Sequence, residues 1–436
     1  MRTKNLAALA ASMIIAVAPA LADGPTLYEA APQSAGFSPE GIANLNATLD
    51  KVVSGGELAG IQTMLVRHGK IVDFHTFGRD SVANNSKLKR DAIFRLYSMT
   101  KPMTGVAMMI LYEKGLWKLD DPVSKFIPEF AHLKVYSGED ANGKPILVDA
   151  VRPPNMRELM THTAGFGYGL IKGNPVDDEY RTDKVLASDG LADMVHKIAK
   201  IPLLFQPGTR WSYSTAVDIQ GYIIEKLTGQ KLGQFMAEKI WKPLGMNDTG
   251  FKTPDGAASR LAKLYVGFAG TLVEMNPDVT PLVQDFTKTP PLESGGGGAV
   301  GTIDDYARFC QMILNKGEYN GVRILKPESV ALMEQNHIEP TVTGVNGGPQ
   351  IPIGGSAIGF GLDFAVVLDP AKANMPVGAG TIWWGGLAGT WFWIDPKNDL
   401  FFIGMIQKFG ASMDGDKTLA GASQSLVYSA LTHPDQ

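Results

Sequence analysis

Hydrophobic residues follow two different periods along this chain. Near both ends, apolar runs of strand length lie between turn residues, whereas apolar positions elsewhere recur every three or four residues, as in helices. Strands are predicted at Ile61–Val66, Ile71–Phe77, Gly361–Leu368, Trp391–Asp395 and Leu400–Met405. Helices are predicted at Met103–Glu113, Asp189–Ala199, Val217–Thr228, Gly233–Trp241 and Ala420–Thr432.

This order of elements predicts an α/β fold of the α+β kind. Strands at both ends of a chain with helices between them favour one sheet built from both ends and a helical insertion. We therefore predict an α/β domain formed by residues 23–95 and 295–436, and a mainly helical domain formed by residues 96–294. We expect the active site between these two parts.

The first 22 residues have the pattern of a signal peptide. Arg2 and Lys4 provide a positively charged start, and the apolar run from Leu6 to Ala18 is too short to span a bilayer. Residues 20–22 read Ala-Leu-Ala, which is a small-x-small cleavage site. We expect an exported protein, periplasmic or secreted, and no membrane span in the mature chain; an uncleaved anchor is the alternative.

Composition and charge argue against several classes of function. The chain has 436 residues, 44% hydrophobic and 19% charged, which is typical of a globular protein. A net charge of −4 argues against a nucleic-acid surface. The single cysteine, Cys310, excludes an intramolecular disulfide and lies on an apolar helical face, as expected of a buried residue. The seven histidines show no metal-ligand spacing, so we predict no metal site and no cofactor.

Ser98 and Lys101 form a Ser-x-x-Lys motif at a predicted helix start. Residues i and i+3 of a helix share a face, so the lysine amine can reach the serine hydroxyl and help to remove its proton. Pro102 fits the first turn, whose N–H groups have no helical partner. The same spacing begins at Ser86, but in a polar segment that we interpret as a solvated loop. Taken alone, Ser98 could equally be a helix cap beside an exposed lysine.

Two later motifs favour the catalytic interpretation. Residues 211–215 read Trp-Ser-Tyr-Ser-Thr after a turn, and residues 383–389 read Trp-Trp-Gly-Gly-Leu-Ala-Gly before a predicted strand. Ser-x-x-Lys, Tyr-Ser-x and aromatic-Gly-Gly, in this order, are the motifs of serine β-lactamases and penicillin-binding proteins. No Gly-x-Ser-x-Gly occurs, so the sequence offers no α/β-hydrolase nucleophile elbow.

In detail the chain resembles the class C β-lactamase-like serine hydrolases, and most closely their esterase branch, the family VIII carboxylesterases. Residues 159–166, 242–246, 295–302 and 360–362 are also similar to that family. The resemblance implies a β-lactamase/penicillin-binding-protein-like fold, with an antiparallel sheet flanked by helices and a mainly helical insertion domain.

The resemblance also implies roles for individual residues. Ser98 would attack the acyl carbon, and Tyr213 would take its proton while Lys101 favours the phenolate form of that tyrosine. Lys101 could instead be the base itself. The backbone N–H groups of Ser98 and Leu387 would form the oxyanion hole. The predicted substrate-binding residues are Phe166, Thr215, Trp384, Gly385 and Gly386.

Two departures from the β-lactamase pattern bear on the substrate. Trp384 stands where those enzymes usually have Lys or His, and an indole offers an apolar face without a cation. Thr215 stands where asparagine is common. Both changes favour uncharged esters with apolar acyl or alcohol parts over penicillins, so a carboxylesterase acting on a small-molecule ester is predicted. The alternatives are a β-lactamase, D-peptidase or related amide hydrolase, and an acyltransferase or penicillin-binding protein.

Overall fold

The computed structural model describes residues 26–275, 283–345, 353–411 and 419–433. The predicted signal peptide, residues 1–22, lies outside them. The strands are β1 Tyr28–Glu29, β2 Gly60–Arg67, β3 Lys70–Ser81, β4 Ser86–Lys87, β5 Phe94–Arg95, β6 Lys134–Glu139, β7 Pro145–Asp149, β8 Tyr265–Phe268, β9 Thr271–Glu274, β10 Val300–Gly301, β11 Glu318–Tyr319, β12 Val322–Arg323, β13 Ile358–Phe360, β14 Ala365–Val367, β15 Ile382–Gly385, β16 Trp391–Asp395 and β17 Leu400–Met405.

The helices alternate with these strands and are concentrated in the middle of the chain. They are α1 Pro39–Ser54, α2 Thr100–Glu113, α3 Met156–Met160, α4 Pro175–Thr182, α5 Leu191–Ile198, α6 Ala216–Thr228, α7 Leu232–Met236, α8 Ile303–Leu314, α9 Pro327–Glu334, α10 Pro370–Ala373 and α11 Leu419–Ala430. None of the helices within the described ranges combines the length and the apolar character that crossing a bilayer requires.

One nine-stranded sheet joins the two ends of the chain. Its order is β1-β3-β2-β17-β16-β15-β14-β13, with β4 paired to β3. Every pair is antiparallel except β1 with β3, which is parallel. The prediction of one sheet built from both ends with helices between them is confirmed. The predicted boundaries of the two domains stay a prediction.

The central strands are buried on both faces, which explains their continuous apolar runs. In β17, Leu400 and Phe402 face one apolar cluster, whereas Phe401 and Ile403 face another. The first cluster includes residues of α1 and α11, and the second includes residues of α2, α6 and α8. The sheet is therefore the middle layer between two groups of helices.

Two predicted elements differ from the structure. The predicted strand Gly361–Leu368 contains a turn, with Asp363 at φ +72°, followed by the shorter strand β14, which pairs with β13 to form a hairpin. The predicted helix Gly233–Trp241 is α7 followed by a π-helical turn at Ala237–Trp241. Apolar periodicity does not detect a turn within a short apolar run or a change in helical pitch, so it missed both.

Arg67 ties both ends of the chain to the sheet. Its side chain is buried and donates to three carbonyl oxygens: Asn398 at 3.0 Å, Ala35 at 3.0 Å and His433 at 2.9 Å. These carbonyls belong to the β16–β17 turn, the segment before α1 and the segment after α11. The guanidinium thus satisfies acceptors that the packing of these three segments removes from water.

We predict that Arg67→Met lowers the free energy of unfolding by at least ~2 kcal/mol, because it removes the donor of two buried hydrogen bonds and one partly buried one while keeping the aliphatic volume. Urea denaturation followed by circular dichroism measures this. Arg79→Met is the control, because Arg79 lies exposed in β3 and its side-chain bond goes to Asn85. Equal losses in the two variants would contradict this role of Arg67.

Candidate active site

Ser98 lies on a short turn between a strand and a buried helix. The 3₁₀ turn Tyr97–Met99 follows β5 and leads directly into α2. β5 pairs with β10, and the Leu96 N–H donates to the Ala299 carbonyl at 3.0 Å, which fixes the segment before the serine. Tyr97 adopts a left-handed backbone with φ +44°, uncommon for a residue with a Cβ. The chain therefore bends sharply just before Ser98.

Two side chains meet at the Ser98 hydroxyl. The Tyr213 hydroxyl lies 2.6 Å from Ser98 Oγ, and Lys101 Nζ lies 3.2 Å from the same atom. Tyr213 is 115 positions away in the sequence and Lys101 only three. A hydroxyl with two such neighbours has the geometry of an activated nucleophile.

Lys101 is fully buried, although it carries an amine. Its Nζ donates to the Gly296 carbonyl at 2.5 Å and lies 4.4 Å from the Tyr213 ring centroid and 5.3 Å from that of Tyr168. The two tyrosine rings stack at 5.4 Å with an interplanar angle of 13°. The ammonium thus has a carbonyl, a hydroxyl and two aromatic rings around it, which offset part of its desolvation.

Asp218, at the start of α6, binds the N–H of Gly296, the residue whose carbonyl accepts the hydrogen bond from Lys101. Its Oδ1 accepts the Ser294 hydroxyl at 2.5 Å and the Gly296 N–H at 3.0 Å. Burial raises the pKa of Asp218 above its usual value, and the charge of Lys101 and these two hydrogen bonds oppose that shift. Asp218 therefore acts on Lys101 through the Gly296 peptide as well as through its charge.

Asp363 is a second buried carboxyl near the lysine. Gln220 of α6 donates to its Oδ1 at 2.8 Å. Burial raises the pKa of Asp363 well above its usual value, although the Gln220 hydrogen bond and the charge of Lys101 lower it. Burial and the charge of Lys101 therefore act in opposite directions on the pKa values of both carboxyls, Asp218 and Asp363.

Tyr213 lies in the extended segment before α6. Thr215, two residues later, donates both its N–H and its hydroxyl to the Gly167 carbonyl, at 3.0 and 3.2 Å. Tyr168, which follows Gly167 in the sequence, is the residue that stacks on Tyr213. Asp177 fixes this loop by accepting three backbone N–H groups of residues 168–171. The loop thus places the Tyr168 ring against a face of the Tyr213 ring.

The aromatic-Gly-Gly motif brings a backbone turn next to the serine. Gly386 follows β15, and a Cβ at this position would overlap the Leu96 carbonyl and the Thr390 hydroxyl, so only glycine fits. The Gly386 N–H donates to the Thr390 carbonyl at 2.7 Å, which closes the turn. The Leu387 N–H has no hydrogen-bond partner within the described part of the chain.

Trp384 forms part of the wall behind Tyr213. Its ring centroid lies 5.5 Å from that of Tyr213 and 5.5 Å from that of Phe360, and only 3% of the residue is exposed. In the neighbouring strand it pairs with Phe392. The position that carries a cation in β-lactamases is therefore an aromatic surface packed on the tyrosine.

The structure brings most of the predicted site residues together. Ser98, Lys101 and Tyr213 are in direct contact, and Trp384, Gly385, Gly386 and Leu387 form the adjoining strand end and turn. Two predicted substrate-binding residues lie elsewhere. Thr215 is buried with its hydroxyl directed at Gly167, and Phe166 packs in the core 5.2 Å from Phe130.

The sequence analysis missed Tyr168, Asp218 and Asp363. Tyr168 lies two positions after Phe166, the last residue of the family-like stretch 159–166. Asp218 is an acidic residue in an otherwise apolar stretch, Ala216–Ile219, and such a residue is a usable signal for a buried carboxyl. The position of Asp363 near Lys101 could not be recognised from the sequence, because it depends on the turn between β13 and β14. No cluster of residues that could hold a metal ion occurs among the residues described.

Comparison with known proteins finds similarity over most of the chain. The family model described as Beta-lactamase matches residues 45–424. An uncharacterized protein of Mycobacterium tuberculosis is 34% identical over 394 residues, which are 86% of this chain and 92% of that protein. Esterase EstB of Burkholderia gladioli is 30% identical over 399 residues, which are 87% of this chain and 93% of the esterase.

A solved structure shows the same fold. EstCE1, described as a hydrolase with promiscuous acyltransferase activity, superposes with a TM-score of 0.72 at 26% identity. The match covers 89% of this chain and 99% of EstCE1. The predicted β-lactamase/penicillin-binding-protein-like fold is thereby confirmed.

Adjacent glycines in the run 295–298 provide a test of the Gly296 contact. A Cβ on Gly296 would lie 2.5 Å from Asp218 Oδ2, whereas one on Gly297 would lie 3.6 Å from its nearest neighbour, in Tyr97. Gly296→Ala should therefore displace the carbonyl that binds Lys101 and lower kcat at least ~10-fold, because small displacements of catalytic groups are costly. Gly297→Ala is the control and should keep kcat within ~3-fold. Equal kcat values in the two folded variants would show that this carbonyl does not position the lysine.

Proposed function

The chain belongs to the beta-lactamase family, as its sequence motifs predicted, and we propose that it is a serine carboxylesterase. The observation that carries the proposal is the joint contact of Tyr213 and Lys101 with Ser98 Oγ, at 2.6 and 3.2 Å. Its relatives include an esterase and a hydrolase with promiscuous acyltransferase activity, which support chemistry at an acyl carbon.

In the proposed acylation step, Tyr213 accepts the Ser98 proton as Ser98 Oγ attacks the carbonyl carbon of the ester. This step uses Tyr213 as a phenolate, and we assign to Lys101, whose Nζ lies 4.4 Å from the centroid of the Tyr213 ring, the role of pairing with that negative charge. The tetrahedral intermediate then expels the alcohol, which takes the proton from Tyr213 and leaves an acyl group on Ser98. Lys101 is the alternative base, but its longer distance to Oγ favours Tyr213 in this role.

The second half of the reaction is the reverse with water as the nucleophile. Tyr213 accepts a proton from water, which attacks the acyl carbon, and the carboxylic acid leaves Ser98 with the proton restored to Oγ. The developing negative charge on the carbonyl oxygen would be bound by the N–H groups of Ser98 and Leu387. The unpartnered Leu387 N–H supports this assignment.

The aromatic wall supports uncharged esters as the substrate class. Trp384 brings no positive charge to the position beside Tyr213, and a carboxylate buried against an indole would lack a partner. Hydrolysis of β-lactams or peptides bearing a carboxylate is therefore the less favoured activity. We also propose export to the periplasm or the medium, on the pattern of residues 1–22 alone.

We predict that a fluorophosphonate labels Ser98 and that Ser98→Ala abolishes both labelling and hydrolysis of a short-chain p-nitrophenyl ester. The variant should fold, because loss of a hydroxyl leaves only a small void. Ser86→Ala is the matched control, since Ser86 begins the other Ser-x-x-Lys sequence, and it should remain fully active. Peptide mapping of the adduct by mass spectrometry is the measurement, and a label on any other serine would refute the assignment.

We predict that wild-type protein has a higher kcat/KM for a neutral ester than for a cephalosporin. Trp384→Lys should lower this ratio at least ~10-fold for two reasons. The added cation offsets the desolvation of the cephalosporin carboxylate, and the loss of the indole removes aromatic contact with the ester. Trp384→Phe is the control, because it keeps an aromatic face without adding a charge. A wild-type preference for the cephalosporin would refute the esterase proposal, and the same ratio in both variants would refute the role of Trp384.

A further inference from the structure

One residue outside the catalytic contacts is bonded to both neighbours of Tyr213. The His162 carbonyl accepts the Ser212 N–H at 3.0 Å. On the other side, His162 Nδ1 lies 3.2 Å from the Ser214 N and 2.9 Å from the Ser214 Oγ. Tyr213 is therefore held between two residues that both bind His162.

The backbone of His162 is in a conformation that side chains rarely adopt. It has φ +58° and comes two residues after α3 ends. Positive φ costs a residue with a Cβ free energy, so it persists where the surrounding contacts impose it. Here the left-handed residue presents its carbonyl and its ring to the same extended segment, which contains the proposed base.

The hydrogen bonds require a neutral imidazole in one tautomer. The Ser214 N–H is a donor, so the Nδ1 that faces it must be an unprotonated acceptor, and the ring proton is on Nε2. Nε2 has no hydrogen-bond partner in the described ranges, so an imidazolium would keep its Nε2–H without an acceptor and would lose the bond from the Ser214 N–H. Burial lowers the pKa of His162 well below its usual value, and the charge of Lys101 lowers it further.

The ring of His162 also contacts the tyrosine directly. Its centroid lies 5.0 Å from that of Tyr213, and Trp211 and Phe360 pack on the same imidazole at 5.9 and 5.5 Å. The side chain is 1% exposed. It therefore limits where the Tyr213 ring can move as well as where its backbone lies.

We propose that His162 is a positioning residue that clamps Tyr213 against Ser98 through a neutral imidazole, an inference that rests on the function proposed above for Tyr213. The clamp does not touch the ester. Its expected signature is therefore a loss in the rate of acylation with little change in substrate binding.

The test compares two substitutions that differ in the acceptor they offer. His162→Phe keeps a ring of similar shape but removes the acceptor facing Ser214. His162→Asn places its Oδ1 near the position of Nδ1 and tolerates a positive φ. With a p-nitrophenyl ester, we expect His162→Phe to lower kcat at least ~30-fold with KM within ~3-fold of wild type, the pattern of an interaction that acts on the reaction step. We expect His162→Asn to recover at least ~10-fold of that loss. Equal kcat values in the two variants would overturn the proposal.

Measuring the effect of His162→Phe in a protein that already carries Tyr213→Phe separates this proposal from the proposed function. In a Tyr213→Phe protein, His162→Phe should cause less than ~3-fold further loss, because residues that act as a unit are not additive. A full further loss there would show that His162 acts elsewhere. If Tyr213→Phe alone retained its kcat, the proposed function would fail and the clamp with it.

If His162→Phe does not fold, Ser214→Ala provides a second test of the proposal. This variant removes the hydroxyl that bonds Nδ1 and leaves the Ser214 N–H in place. We expect kcat to fall at least ~3-fold at unchanged KM, as for a partial loss of positioning. A kcat equal to that of wild type would overturn the proposal.

Discussion

The burial of the Lys101 amine is the constraint on which the rest of this site depends. An isolated ammonium in a protein interior is costly, so the residues around it must compensate. Here the compensation comes from the Gly296 carbonyl, the Ser98 hydroxyl and the stacked rings of Tyr168 and Tyr213. Each of these groups comes from a different segment, and the lysine brings them together.

The segments reach the lysine because backbone groups approach one another closely. The turn that begins at Gly386 packs on the Leu96 carbonyl, where a Cβ would not fit. Asp218 bonds the Gly296 N–H, and His162 bonds both neighbours of Tyr213. The catalytic contacts are therefore supported by a layer of buried polar groups, whose hydrogen bonds join the segments that carry Lys101, Gly296 and Tyr213.

Sequence patterns predicted the parts of the site that depend on spacing or on a local motif. Ser98 and Lys101 are one helical turn apart, so their contact followed from the sequence. That Tyr213 would join them came from the order of three motifs, since no local rule brings together residues 115 positions apart. The strands β2, β3, β16 and β17 were predicted because their apolar runs are bounded by turns.

The remaining features depend on contacts that form only in the folded chain. The turn at Asp363 occupies the first half of the apolar run Gly361–Leu368, in which Asp363 is the one polar residue, so the run was interpreted as one strand. Thr215 was expected to face a substrate, but its hydroxyl bonds Gly167 across the structure. His162 lies within the family-like stretch 159–166, but its relation to Tyr213 appears only in the folded chain, where His162 bonds Ser212 and Ser214.

The most direct test of the account is a double-mutant cycle on Lys101 and Tyr213. If Tyr213 is the base and Lys101 sustains its phenolate, Lys101→Ala and Tyr213→Phe should each lower kcat at least ~100-fold, the scale of a lost general base. The double variant should then lie within ~3-fold of the slower single variant, because the two residues act as one unit. Losses that multiply in the double variant would contradict the account.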